Sequence, residues 1–290
     1  MEILVYVIVF SLILIVSNAT NKLIPTLPLP LIQILLGIGI GFLLPNSEYH
    51  LDTELFLALV IGPLLFREAE EADITSILKH WRIIAFLIFP VIFISTLSLG
   101  WLAHLLWLGI PLAACMAVGA ALGPTDLVAF ASLSERFTFP KRISNILKGE
   151  GLLNDASGLV AFRVALAAWT TGVFSLGQAS WDLVISILGG FAVGIVTAAV
   201  NRGLQKLLLS VRATDIASEL ILELSLPLLT FFIAEEIHVS GIIAVVVAGI
   251  LKASRFKKIT LLEAKVDTVT HTVWNTVNFV LNGSVFVLLG

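Results

Sequence analysis

The chain has 290 residues, 58% of them apolar and only 13% charged, with a net charge of −3 and a mean hydropathy of +1.05. A soluble domain carries about twice that charged fraction, and one core cannot hide so much apolar surface, so the composition points to the bilayer as solvent. The single cysteine, Cys115, excludes a disulfide framework, and His50, His80, His104, His238 and His271 lack metal-ligand spacing.

Apolar runs able to cross a membrane fall at residues 3–17, 30–44, 53–66, 83–107, 112–132, 148–169, 183–207, 216–234, 239–252 and 268–290. Several are shorter than the roughly 20 residues a span needs, so their helices should extend into flanking residues. The first run has no basic leader and no small-residue cleavage site, so it reads as a retained helix. No soluble domain or low-complexity linker interrupts the series.

Basic residues test the orientation. Connections after the odd spans hold Lys22; Arg67, Lys79 and Arg82; Arg136, Lys141, Arg142 and Lys148; Arg202, Lys206 and Arg212; and Lys252, Arg255, Lys257, Lys258 and Lys265. These are 16 of the 17 basic residues, and the even connections hold none. The positive-inside rule then places the N-terminus outside and the odd connections in the cytoplasm of a cell (inner) membrane protein. Trp81, Trp107, Trp169 and Trp181 lie near span ends, where interfacial tryptophans sit, although packing explains each of them singly as well. Asn18-Ala19-Thr20 fits a glycosylation pattern but falls at the cytoplasmic edge and is discounted. The last residues, Val287-Leu288-Leu289-Gly290, lie inside an apolar segment, so the sequence is expected to be part of a longer protein.

Span 5 contains Gly123-Pro124-Thr125-Asp126. Pro124 donates no hydrogen bond and disfavours helical geometry at Gly123, so the helix should break inside the membrane. Irregular backbone at that depth is tolerated only against protein or a water-filled cavity. Asp126 would start the second half-helix, where its charge complements the dipole, with the Thr125 hydroxyl beside it. Secondary transporters build midplane ion sites from such broken helices.

Span 6 begins Lys148-Gly149-Glu150-Gly151-Leu152-Leu153-Asn154-Asp155-Ala156-Ser157-Gly158 and continues to Arg163. At helical spacing Glu150, Asn154 and Ser157 share one face, and Asp155 lies on the next face with Gly151 and Gly158 close by. A carboxylate at a span centre costs roughly 2.5–3.5 kcal/mol, so these acids need partners, water or ions. Asp126 lies about 6 Å inside the middle of span 5 and Asp155 about 4–5 Å inside the middle of span 6, so the two acids match in height. A capping or packing role paired with Arg163 is the plainer alternative. Arg163 itself reads as a structural cation that neutralises an acid such as Glu219 or Glu223. Those two acids are one turn apart in span 8, ahead of Pro227. His271, Asn275, Asn278 and Asn282 line one face of span 10. Interhelical hydrogen bonding is the expected role of both stripes.

The segments Gly123-Pro124-Thr125-Asp126-Leu127-Val128-Ala129 and Gly149-Glu150-Gly151-Leu152-Leu153-Asn154-Asp155-Ala156-Ser157-Gly158 resemble the two signature helices of bacterial sodium/proton antiporters of the monovalent cation:proton antiporter-1 family. Segments 62–66, 241–249 and 279–290 match its pattern too, so the resemblance covers the whole chain. It implies an all-α inverted-repeat antiporter fold with a discontinuous helix and thirteen helices, of which about ten are present. It implies that Asp155 exchanges a proton for Na+, that Asp126 and Thr125 help form the cation site, and that Glu150 and Asn154 support it. It also implies a homodimer in lipid, no cofactor beyond the transported Na+ and H+, no enzymatic activity and no nucleic-acid partner. The pair Asn154-Asp155 is similar to that of electroneutral members, which implies one proton per cation. Helices 1–3 and 7–10 would then form the dimerisation scaffold of a single transmembrane domain, and helices 4–6, about 83–170, half of the ion-carrying core. Residues 1–290 alone are not expected to transport, because the family's last three helices, with a buried arginine, complete the site. Leu127 stands where the family often has proline, and Gly151 where it often has serine, a possible oxygen ligand. Cation choice is therefore open. A K+/H+ antiporter is the near alternative, and an ion channel or ion-sensing receptor the distant one.

Overall fold

The computed structural model describes residues 2–43, 52–125, 130, 137–171, 176–211, 215–253 and 261–290. The described residues form helices and their connections. In chain order these are α1 (Glu2–Leu23), α2 (Leu29–Leu43), α3 (Thr53–Phe56), α4 (Gly62–Glu71), α5 (Ile74–Lys79), α6 (Trp81–Phe86), α7 (Ile92–Leu106), α8 (Leu112–Leu122), α9 (Lys141–Thr171), α10 (Leu176–Ser210), α11 (Ile216–Glu236), α12 (Gly241–Ala253) and α13 (Leu261–Leu289). Every expected span has a helix at its position. Val184–Ser210, Ile216–Glu236 and Thr268–Leu289 are each long and apolar enough to cross a bilayer. Six shorter apolar stretches accompany them. Several helices extend past their apolar runs as anticipated, among them α9, which begins in the basic connection at Lys141.

Two spans are jointed by π-helical turns, a feature the hydropathy pattern does not encode. Leu57–Ile61 joins α3 to α4, and the Gly62 amide donates to the Leu57 carbonyl five residues back. Leu87–Val91 joins α6 to α7 and contains Pro90. Proline has no amide hydrogen and its ring strikes the carbonyl four residues before it, and a wider turn accommodates both defects. Pro63 follows the first joint in the same way.

The chain divides into two compact units. One comprises Met1–Leu64, Gln205–Leu228 and Lys257–Gly290, and the other Leu65–Leu204 and Leu229–Phe256. In the first, Ile13, Leu14 and Val287 are the buried centre of α1, α2 and α13. A methyl group added at Gly37 would lie 2.3 Å from the Val287 carbonyl oxygen, so bare backbone meets backbone there. The second unit packs α7 on α8 and α10 on α12 by the same device, with Gly119 against the Thr96 carbonyl and Gly194 against the Ala244 carbonyl. Lipid is as apolar as leucine, so close approach and dispersion have to supply the association that water exclusion gives a soluble core. Large apolar side chains accordingly point outward, Leu188 and Phe191 among them.

Two end structures complete the second unit. The α11–α12 turn carries His238 at a φ of 58°, the one positive-φ residue other than glycine among those described. Val239 donates to the Ala234 carbonyl and His238 to the Glu235 carbonyl, which is a Schellman closure, and Val239 and Ala234 share a buried cluster. At the start of α5, the Asp73 carboxylate accepts from the Thr75 hydroxyl and the Ser76 amide. Asn145 of α9 donates to the same carboxylate and to the Ser76 hydroxyl. The Thr75 hydroxyl, then the Ser76 amide, hold the Asp73 carboxyl below the ordinary aspartate value.

A left-handed conformation costs a side-chain-bearing residue about 1–2 kcal/mol, so His238→Gly should raise the detergent melting temperature of the protein. A lower melting temperature would show that the imidazole makes a compensating contact. The depressed Asp73 carboxyl favours the folded state above the unfolded aspartate value. Its contribution should fade as pH falls below about 4, and thermal melts of Asp73→Ala should lose that part of the acid dependence.

Candidate functional site

Helix α8 is built from small residues, Leu112-Ala113-Ala114-Cys115-Met116-Ala117-Val118-Gly119-Ala120-Ala121-Leu122, and it ends at Leu122 as the glycine–proline pair predicts. Gly123 keeps right-handed helical angles as the cap, and Thr125 already lies outside the helix. Helix α9 crosses directly over this end. A methyl at Gly158 would sit 2.3 Å from Pro124 Cγ, so only glycine lets α9 approach the broken turn this closely. From α7, the Ser95 hydroxyl oxygen lies 2.9 Å from where a side chain on Gly123 would begin.

The approach brings three of the expected residues together. The Thr125 hydroxyl donates to Glu150 Oε2 at 2.9 Å. Asn154 Nδ2 donates to Glu150 Oε1 at 2.8 Å and to Thr125 Oγ1 at 3.2 Å. Glu150 is 6% exposed and Asn154 2%. The carboxylate is thus held on both oxygens by neutral donors, one across the helix break and one a turn ahead on its own helix. The remaining polar atom of the cluster, Asn154 Oδ1, is buried and has no hydrogen-bond partner. Such an orphan costs about 1–3 kcal/mol unless something occupies its lone pairs. Asp155 follows Asn154 on α9, and its side chain lies outside the described residues, as does Asp126 with the expected second half-helix. The described part is therefore a hydrogen-bonded triad of Thr125, Glu150 and Asn154 that leaves one buried acceptor open, Asn154 Oδ1, an oxygen of the kind that suits a hard cation.

Arg163 pairs with Glu235, at 3.1 Å from Nη1 to Oε1, and not with Glu219 or Glu223. The reason is depth. Arg163 lies in the late half of span 6, whereas Glu219 and Glu223 lie in the early half of span 8 and Glu235 at its far end. The same Glu235 oxygen accepts the Gly241 amide at 3.3 Å, capping the start of α12. Sequence reasoning passed over Glu235, whose one signal is an acid closing a long apolar run.

Two cations assigned to connections are buried. Arg67 is 6% and Lys252 8% exposed, and both pair with Glu70, at 2.8 and 3.2 Å. Lys252 also stands over the Phe66 ring at 5.4 Å. In span 10, His271 and Asn275 are exposed and bond to each other within their helix, so these two members of the stripe do not make the interhelical bond expected of them, whereas Asn278 and Asn282 are half-buried. The buried contact is made instead by Trp274, whose indole donates to Glu223.

Comparison with known proteins agrees with this architecture. The family model described as "Sodium/hydrogen exchanger, transmembrane" matches residues 7–290. A "Sodium, potassium, lithium and rubidium/H(+) antiporter" of Bacillus subtilis (strain 168) is 39% identical over 290 residues, all of this chain and 43% of the relative. An "Uncharacterized Na(+)/H(+) exchanger YjcE" of Escherichia coli (strain K12) is 33% identical over all of this chain and 53% of its own length. The chain thus spans about half the length of these curated relatives. Among solved structures, the sodium proton antiporter MjNhaP1 from Methanocaldococcus jannaschii superposes with a TM-score of 0.75 at 19% identity, over 99% of this chain and 70% of that one. The fold is therefore that of an antiporter, and the chain is a multi-pass membrane protein.

Thr125→Val removes a donor from buried Glu150 and an acceptor from Asn154 with little change in shape. It should destabilise the protein by about 1–3 kcal/mol, read as a lower melting temperature, and Thr125→Ser should restore most of the loss. Equal melting of all three proteins would sink the described hydrogen-bond triad.

Proposed function

The chain belongs to the sodium/hydrogen exchanger family, and from that premise we propose that it takes part in exchanging a monovalent cation for protons across the cell membrane by alternating access. The observation that carries the reading is the buried cluster of Thr125, Glu150 and Asn154 at a helix break, with Asn154 Oδ1 lacking a partner. Cation and proton compete for Asp155. Either one neutralises the carboxylate, and a neutral site crosses the apolar barrier at far lower cost than a charged one. Asp126 and Thr125 complete the cation's oxygen shell. Glu150 and Asn154 fix its geometry, because Glu150 is tied to the break through Thr125 and to α9 through its own backbone.

Obligatory competition at one exchanging carboxylate gives one proton per cation, an electroneutral cycle. The cation range we propose is broad, Na+ together with K+. Gly151 offers no hydroxyl where a serine could tighten the shell, and the Bacillus subtilis relative is named for four alkali cations. The N-terminus lies outside, in keeping with the one-sided distribution of Lys and Arg. The working unit is a homodimer with helices 1–3 and 7–10 as its scaffold.

Asp155→Asn in the intact exchanger should abolish cation-driven proton flux in proteoliposomes while leaving size-exclusion behaviour unchanged. Flux at the unaltered rate would end the assignment. The native protein should accept Na+ and K+ in the same assay, and imposing a membrane potential should not alter its rate. A rate that follows the potential would overturn the electroneutral cycle.

A further inference from the structure

Lys79, Arg82, Lys141, Arg142 and Lys148 gather where the short helix α5 crosses the start of α9, within the unit that contains Leu65–Leu204. Side chains fix the crossing. Asn145 of α9 donates to the Asp73 carboxylate at 3.4 Å and to the Ser76 hydroxyl at 3.1 Å. A methyl at Gly149 would lie 2.9 Å from Ile77 Cγ1, so α5 rests directly on α9 there. At helical spacing Lys141, Arg142 and Lys148 each stand within about 60° of Asn145, so they flank the docked face. Lys79 closes α5, one turn after Ser76, and Arg82 lies in the first turn of α6. All of these cations are exposed.

These cations differ from those that sit among the helices. Arg67, Arg163 and Lys252 are each paired with an acid. Among the described residues, Lys79, Arg82, Lys141, Arg142 and Lys148 make no ion pair. Asp73, the acid at the crossing, already accepts from Thr75, Ser76 and Asn145. Lys141 and Arg142 also stand in the first turn of α9, the positive end of its dipole, and no acid shares that turn. The chain thus collects positive charge here, part of it at the unfavourable end of a helix. Apolar side chains are interleaved with the cations: Leu78 is 67% exposed, Trp81 57% and Ile143 47%. The Arg82 guanidinium lies over the Trp81 ring, 5.7 Å from its centroid, which orients the cation without neutralising it. At the edge of a bilayer such a mixture fits, because tryptophan and aliphatic groups reach the acyl boundary while Lys and Arg extend their charges to the headgroups.

We propose that Lys79, Arg82, Lys141, Arg142 and Lys148 bind the phosphate groups of anionic phospholipids, with Leu78, Trp81 and Ile143 among the acyl chains beneath them. Guanidinium groups match phosphate oxygens in pairs, and the lysines add charge at the rim. Inorganic phosphate would satisfy the charges alone, whereas a lipid also covers the exposed apolar groups. A lipid held here ties α5 and α6 to the beginning of α9, two residues ahead of Glu150 at Lys148.

The test uses the purified intact protein in detergent and follows quenching of tryptophan fluorescence by lipids brominated on their acyl chains. The Trp81 contribution is the difference from Trp81→Phe. Brominated phosphatidylglycerol should quench Trp81 at a far lower mole fraction than brominated phosphatidylcholine. That preference should vanish in about 1 M salt, where screening reaches to about 3 Å. Arg82→Gln with Arg142→Gln should raise the phosphatidylglycerol fraction required about 25-fold, each cation at a membrane surface being worth about fivefold. Arg82→Lys with Arg142→Lys should keep most of the preference. Equal quenching by the two lipids, or a preference untouched by the glutamine pair, would overturn the site. If the glutamine variant aggregates on size exclusion, the salt dependence of the native protein decides, and a preference that persists in high salt overturns the proposal. Displacement of phosphatidylglycerol by millimolar inorganic phosphate would make this a phosphate-ion site and overturn the lipid.

Discussion

Glu150 accepts one hydrogen bond from Thr125, just past a broken helix, and one from Asn154, a turn ahead on an intact helix. Much of the site depends on that bridge. In hydrocarbon no water repairs an interrupted backbone ladder, so a glycine–proline break survives only if another element supplies what the ladder loses. Helix α9 meets the break with side chains, which bind the Thr125 hydroxyl just beyond it. Its approach is set by the bare face of Gly158 against Pro124, and its charge is held between two neutral donors. Backbone defect, close packing and buried carboxylate are thus three aspects of one contact. The carboxylate would be too costly without the donors, and the donors would not be in reach without the glycine.

The rest of the molecule repeats this logic with less chemistry. Glycines lie at helix crossings where backbone meets backbone, and proline marks each π-helical joint. The charges that do enter the structure are tied on more than one side. Arg67 and Lys252 converge on Glu70, and Glu235 holds both a guanidinium and a helix amide. An isolated charge in such surroundings would cost several kcal/mol, and a tied one fixes the rotation of the helix that carries it.

Much of this could be read from residue order. Apolar runs gave the helices, because lipid demands long apolar segments and little else. The glycine–proline pair placed the end of α8, because proline's missing amide acts locally. Glu150 and Asn154 were placed on one face by helical spacing alone, and the structure joins them. What the sequence did not reveal was rotation and partnership. Arg163 finds Glu235, 72 positions away, and no periodicity encodes that. The stripe of His271 and Asn275 looked like a contact face because it is polar, yet the buried side of α13 carries Trp274 and Thr270. In a membrane, polarity no longer distinguishes outside from inside. A polar residue can bond within its own helix, and an aromatic one can carry the interhelical bond.

The junction at Glu235 has an evolutionary consequence. An ordinary ion pair is symmetric, since exchanging acid and base keeps the attraction. Here the acid oxygen also receives the first amide of α12, and a guanidinium at position 235 could not accept that proton. The two positions are therefore not free to trade places. Position 163 can drift among cationic or neutral donors while the turn stays closed. Position 235 must remain an acceptor even in a lineage that has lost the arginine. Its constraint should outlast that of its partner.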